Sequence, residues 1–277
     1  MILSGKELSS KIKAEIKAEI DSIKAKGKRT PCLVTILVGD DPASKVYVAN
    51  KEKACNAVGI KNITEILPSY VTTEFLVNSI EEYNKMQIID GILVQLPLPK
   101  HIDVKRVIDA ISPDKDVDGF HTSNVANLWL KDECIVPCTP QGIIDLIDST
   151  GVDMTGKNVV VVGRSNIVGL PVAKLCLDRN ATVTVAHSKT ADLKEVIKSA
   201  DILIVAIGKA KFITADMIKD DAIVIDVGIN RIDSKLYGDV DYENITNASY
   251  ITPVPGGVGP MTIACLLKNT LKCFKNH

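Results

Sequence analysis

Eighteen consecutive apolar residues occur nowhere in this 277-residue sequence, so no stretch is long enough to cross a bilayer as a helix. The N-terminus, Met1-Ile2-Leu3-Ser4-Gly5-Lys6-Glu7, lacks the apolar run and cleavage pattern of a signal peptide. Neither charge is in excess: 33 Lys and Arg face 34 Asp and Glu, a net charge of −1, which argues against a general nucleic-acid binder. Any basic site must be local. The seven cysteines (Cys32, Cys55, Cys134, Cys138, Cys176, Cys265 and Cys273) are odd in number and scattered through apolar context, as buried thiols of a reducing cytoplasm are. Only Cys134 and Cys138 lie close together, and neither a second pair nor a nearby His completes a zinc set. Clustered Asp residues lack EF-hand spacing, and no nucleophile-elbow sequence supports a Ser-His-Asp triad. These absences predict a cytoplasmic protein without a metal, a membrane or a nucleic-acid partner.

What is present is an ordinary globular composition, 46% hydrophobic and 24% charged. At about 150 residues per domain the length favours two domains or one large α/β unit. Ser4 and Glu7 form a capping box ahead of Leu8, Ile12, Ile16, Ile20 and Ile23, an apolar helical stripe ending near Gly27. The run 32–38 reads as a strand buried on both faces, and a helix over 44–58 stops at Gly59. Strands over 63–67 and 88–95 alternate with helices over 74–85 and 104–110, which implies βαβ units and a mostly parallel sheet. The stretch 121–137, which holds the only Trp, has no clear period. A second alternating pattern follows: a helix over 141–149, strands over 158–162, 182–186, 202–207 and 222–227, and helices to about 178 and over 193–199. A last helix covers 259–274 after a Pro/Gly-rich loop.

The fold class expected is therefore α/β, with two domains around a cleft. Residues 1–138 form an N-terminal catalytic domain and 139–258 a Rossmann-like dinucleotide domain with a parallel sheet, and the terminal helix 259–277 packs back on the first.

Gly163-Arg164-Ser165-Asn166-Ile167-Val168-Gly169 joins a strand to a helix N-terminus, where free N–H groups and the helix dipole favour an anion. It departs from G-x-G-x-x-G, because Ser165 replaces the second glycine and Gly169 falls one position late. Both a dinucleotide diphosphate site and an ordinary βα turn fit that string. NAD-preferring sites usually place a carboxylate at the end of the next strand, about 20 residues on. Here that strand ends in His187-Ser188-Lys189, so Arg164 and Ser188 suit a 2′-phosphate and favour NADP over NAD; solvated loop residues are the plainer alternative.

In the first domain Tyr47 and Lys51 stand four apart on one helical face. Gln95 ends an apolar strand, at the carboxyl edge where α/β ligand sites lie. Asp116 and Asp118 occupy a tight loop, and His101, His121 and His277 have no partner pattern.

Six strings carry a resemblance that spans the chain. They are Tyr47-x3-Lys51, Val94-Gln95-Leu96-Pro97, Lys115-Asp116-Val117-Asp118-Gly119, Pro137-Cys138-Thr139-Pro140, Gly163-Arg164-Ser165-x-Ile167-Val168-Gly169 and 252–262 (TPVPGGVGPMT). In this order and spacing the sequence resembles the bifunctional methylenetetrahydrofolate dehydrogenase/methenyltetrahydrofolate cyclohydrolase family. The resemblance implies oxidation of 5,10-methylenetetrahydrofolate by NADP, then hydrolysis of the methenyl cation to 10-formyltetrahydrofolate in one-carbon metabolism. It implies that Lys51 is the catalytic lysine, that Tyr47 packs on the folate, that Gln95 hydrogen-bonds Lys51, and that Asp118 holds the pterin edge. Ser44, one turn before Tyr47, and the loop residues Pro255, Gly256 and Gly257 would line the folate site. Gly163, Arg164, Ser165, Ser188 and Ile229 would bind NADP. It also implies a homodimer formed through the nucleotide domains.

Water attack on the cation needs a base and then a proton for a ring nitrogen, which a lysine supplies only if its pKa is brought towards neutrality. That depression is the expectation for Lys51, whereas Lys53, two residues on, points away. Two other readings stay open: a shikimate- or amino-acid-type dehydrogenase, against which the Tyr47, Lys51, Gln95 and Asp118 set argues, and a non-catalytic NADP-binding module, whose first domain would have no need of a lysine poised in a cleft.

Overall fold

The computed structural model describes residues 1–233 and 235–276, so His277 lies outside the described residues. The chain divides into two compact units, one of Lys11–Cys138 with the C-terminal segment from Ile263, the other of Met1–Ser10 with Thr139–Thr262.

In the first unit, strands β1 (Cys32–Val38), β2 (Lys61–Leu67) and β3 (Gly91–Val94) form a parallel sheet of order β2-β1-β3. Every residue of β1 and β3 is buried, as their unbroken apolar runs require. Helices α1 (Gly5–Ala25), α2 (Pro42–Val58), α3 (Thr73–Lys85), α4 (Val104–Ala110) and α5 (Thr122–Leu130) belong wholly or largely to this unit. The α1 stripe meets the last helix in one core, where Ile16 and Ile20 pack with Cys265, Leu266 and Leu271.

The second unit holds most of α6 (Cys138–Asp148) and a five-stranded parallel sheet of order β10-β7-β6-β4-β5. Its strands are β4 (Asn158–Val162), β5 (Thr182–Ala186), β6 (Ile202–Val205), β7 (Ile223–Asp226) and β10 (Tyr250–Ile251). Helices α7 (Gly169–Asp178) and α8 (Leu193–Lys198) follow β4 and β5, and β8 (Asn230–Ile232) pairs antiparallel with β9 (Lys235–Tyr237). The chain runs from β4 outward to β5 and then returns to β6 on the other side of β4. That reversal puts a crevice at the carboxyl ends of β4 and β6, the usual ligand position in such sheets.

Three expectations change. The first ten residues join the nucleotide unit: Ile2 bridges Ile251, the Leu3 N–H donates to the Ile251 carbonyl at 2.8 Å, and the Lys6 N–H to that of Gly256 at 2.9 Å. The terminal helix, α9 (Val258–Asn276), divides at Thr262, so only the part from Ile263 belongs with the first unit. The strand expected over 88–95 is confined to Gly91–Val94, because Asp90 turns its carboxylate to Arg29 (2.7 Å to each terminal nitrogen) and to the Cys32 N–H (2.8 Å).

Candidate functional site

Helix α2 starts with Pro42 in its first turn behind an Asp41 cap and ends at Gly59 in the left-handed conformation. Asp41 accepts both the Ser44 N–H and the Ser44 hydroxyl, each at 2.8 Å. Ser44 is thus buried and committed to the helix start. One turn on, Tyr47 is 42% exposed, and Lys51 follows on the same face, half-buried. Lys53 is exposed.

The Lys51 ammonium donates to Gln95 Oε1 at 3.0 Å. Gln95 sits one residue past β3, its own N–H held by the Ile36 carbonyl at 2.9 Å. Its Nε2 donates to the Leu96 carbonyl at 2.7 Å, which leaves Oε1 to face the lysine. One amide thereby fixes the direction of the ammonium.

Asp118 is carried by a loop whose start runs beside β3: the Ile92 N–H donates to the Lys115 carbonyl at 2.8 Å, and Ile92 bridges Asp116. Buried Asp116 then acts as the loop's internal acceptor, taking N–H groups from His121 (2.7 Å), Gly119 (3.1 Å) and the Asn124 side chain (2.9 Å). Gly119, at φ 73°, lies so near the chain before α6 that a Cβ there would meet the Ile135 carbonyl at 2.6 Å. From α9, the Asn269 amide donates to the Val117 and Val136 carbonyls, both at 2.9 Å. Burial pushes the Asp118 carboxyl above the usual range, and the Lys51 ammonium pulls it partly back. The Cys138 thiol, driven well up by burial, donates to the Val117 carbonyl at 3.3 Å. Asp116 and Asp118 both border a recess otherwise lined by Ile92, Val94, Leu96 and Phe120 among its apolar residues.

Tyr47, Lys51, Gln95 and Asp118 therefore share one unit, where the lysine donates to the Gln95 amide and its charge acts on the Asp118 carboxyl. Pro255, Gly256 and Gly257 belong to the other unit. There Pro255 is exposed, the Gly256 carbonyl is held by Lys6, and Gly257 packs on Thr252 and Pro253.

In the nucleotide unit the turn after β4 is built on close approach. A Cβ at Gly163 would meet the Ala206 carbonyl at 2.3 Å, and one at Gly169 would meet the Gly163 carbonyl at 2.2 Å. Ser165, in the place of the fingerprint's second glycine, accepts with its hydroxyl from the N–H groups of Val168 (3.2 Å) and Gly169 (3.3 Å) at the start of α7. Arg164 and Ser188 are exposed at the ends of the adjacent strands β4 and β5, and His187 accepts the Lys189 N–H at 3.1 Å to close the turn between them. Ile229 is 46% exposed past β7. A glycine turn without Cβ atoms, an exposed guanidinium and no carboxylate at the end of β5 fit NADP. Among the described residues no group of three or more His, Cys, Asp or Glu is placed to hold a metal ion, and no helix is long and apolar enough to cross a membrane.

Sequence reasoning did not find Asn124 or Asn269. For Asn269 a signal existed: it falls four residues from both Cys265 and Cys273, on the buried stripe of α9, where a polar residue needs a partner.

The catalytic-domain model of tetrahydrofolate dehydrogenase/cyclohydrolase matches residues 3–118, and the family's NAD(P)-binding-domain model matches 137–277. The Bifunctional protein FolD of Campylobacter hominis is 54% identical over 278 aligned residues, covering 100% of this chain and 98% of the relative. The crystal structure of the bifunctional methylenetetrahydrofolate dehydrogenase/cyclohydrolase of Campylobacter jejuni superposes with a TM-score of 0.97 at 49% identity, covering 100% of this chain and 99% of that one. The Trypanosoma brucei enzyme, solved with NADP cofactor and inhibitor, gives a TM-score of 0.96 at 39% identity, covering 100% and 97%. The chain belongs to the tetrahydrofolate dehydrogenase/cyclohydrolase family.

Proposed function

We propose that this chain oxidises 5,10-methylenetetrahydrofolate with NADP and hydrolyses the resulting 5,10-methenyl cation to 10-formyltetrahydrofolate, using Lys51, Gln95, Asp118 and Tyr47. The observation that carries the reading is the Lys51–Gln95 hydrogen bond beside Asp118, in a chain of this family.

Bound NADP supplies the hydride acceptor. The protein's part in that step is position, not acid–base help. Asp118 accepts two parallel N–H bonds from the pterin edge, and the exposed Tyr47 ring packs on the folate. Hydrolysis then adds one water to the methenyl carbon, breaks its bond to N5 and releases one proton. Lys51 serves this step by taking a proton from the attacking water and returning one to N5 as the ring opens. Gln95 sets the direction of the lysine and cannot itself take up its proton.

On the cofactor side, Gly163 and Ser165 shape the diphosphate turn, Ile229 contributes backbone to the nicotinamide end, and Arg164 with Ser188 holds the 2′-phosphate. Arg164→Ala should lower the preference for NADP over NAD, compared as kcat/KM, by roughly tenfold or more. An unchanged ratio would remove Arg164 from the site. The reading includes a cytoplasmic location and a homodimer through the nucleotide unit, whose sheet ends in the unpaired edge of β5. Sedimentation equilibrium should return twice the chain mass of 29.9 kDa; the single mass contradicts the dimer.

A further inference from the structure

Two buried carboxylates in the nucleotide unit have no part in the roles above. Asp239, fully buried, accepts three consecutive backbone N–H groups: Ile207 at 2.7 Å, Gly208 at 2.9 Å and Lys209 at 2.8 Å. A fourth bond comes from the Asn230 side chain at 2.9 Å. Asp226, 1% exposed at the end of β7, accepts the N–H groups of Gly228 (3.0 Å), Asp239 (2.9 Å) and Val240 (2.9 Å). The two aspartates thus tie together three segments at the carboxyl end of the sheet: the loop after β6, the turn 227–230 and the chain following β9.

A run of successive backbone N–H groups is an anion receptor. Here the receptor follows β6, beside the β4/β6 crevice, and the protein fills it with its own carboxylate. Those N–H groups are then unavailable to a phosphate, and their loop is held in one conformation. Asn230 carries the same restraint to the residue next to Ile229.

We propose that Asp239 is a positioning residue for NADP, holding the β6 loop and the Ile229 segment in the shape that receives the dinucleotide. The proposal rests on the assignment of Gly163, Arg164, Ser165, Ser188 and Ile229 to the cofactor. Asparagine at 239 would turn an NH2 group towards the N–H donors and leave part of the run unpaired. Pre-organisation of the crevice would be lost before any cofactor contact is removed.

The test compares wild type with Asp239→Asn by NADP titration, by KM for NADP, and by hydrolysis of supplied methenyltetrahydrofolate without NADP. The expected result is a rise of about tenfold or more in the NADP Kd and KM. Hydrolysis, whose side chains Lys51, Gln95 and Asp118 lie in the other unit, should stay within about twofold and report that the protein is folded. An unchanged NADP Kd, or a proportional loss of both activities, overturns the proposal. Should Asp239→Asn fail to fold, Asn230→Ala removes one bond to the same carboxylate: weaker NADP binding with intact hydrolysis supports the proposal, and no change overturns it. Arg164→Ala separates the two claims, since weakened NADP binding there with none in Asp239→Asn rejects only the role of Asp239.

Discussion

Replacing Lys51 with methionine should abolish hydrolysis of supplied methenyltetrahydrofolate, a fall of at least about 100-fold, the usual scale for losing a positioned acid–base group. Methionine fills similar apolar volume along α2 but can neither hold nor return a proton. The fold should survive, because Lys51 is half-buried and, among the described residues, its ammonium hydrogen-bonds only Gln95. Lys51→Gln is the sharper companion: it keeps a polar group within reach of the Gln95 amide and removes only the titratable nitrogen. Hydrolysis at the wild-type rate in either variant would take Lys51 out of the reaction.

Asp118→Asn is expected to raise the KM for the folate roughly 10- to 100-fold, the equivalent of one charge-assisted hydrogen bond, while leaving NADP binding alone. Protonation should act in the same direction. In the proposed role the working form is the carboxylate, and burial raises its pKa, so folate affinity should fall at a higher pH than an ordinary aspartate would give. The stability term has the opposite sign. A carboxyl whose folded pKa lies above its unfolded value holds its proton more tightly when folded, so lowering the pH through that interval adds stability from this group. Loss of affinity on that acid limb is therefore not unfolding at Asp118. The limb should vanish in Asp118→Asn, measured as kcat/KM for the folate against pH. A limb that persists unchanged assigns it to another group.

Where local chemistry decides an element, the sequence was legible. The run 32–38, rich in β-branched residues, points to β1, and helix α4 begins and ends where the pattern of 104–110 says. Helix α5 was not legible, because its caps are unusual: the His121 ring accepts the Ser123 N–H at the start, and Lys131 takes the left-handed position normally given to glycine. β10 is two residues long and is made by its pairing with β7 and the N-terminal segment, which no local signal announces.

The site divides in the same way. Helical spacing brought Tyr47 and Lys51 to one face, and the family resemblance supplied Gln95 as the lysine's partner. That Gln95 reaches the lysine through Oε1 depends on its Nε2 being taken by Leu96, a matter of three-dimensional packing. The sequence points to Ser44 and Ser165 as ligand residues, and in the structure the hydroxyl of each serves a helix start. The same hydroxyl chemistry suits both tasks, so residue type alone does not separate them.

The central claim, that the amine of Lys51 performs hydrolysis and not hydride transfer, is tested most directly by mixing Lys51→Gln with methylenetetrahydrofolate and NADP and following two absorbances together. NADPH should form with one equivalent of persisting methenyl band for each NADPH, whereas the wild-type protein clears that band. A methenyl band that decays in the variant as fast as in wild type would contradict the account.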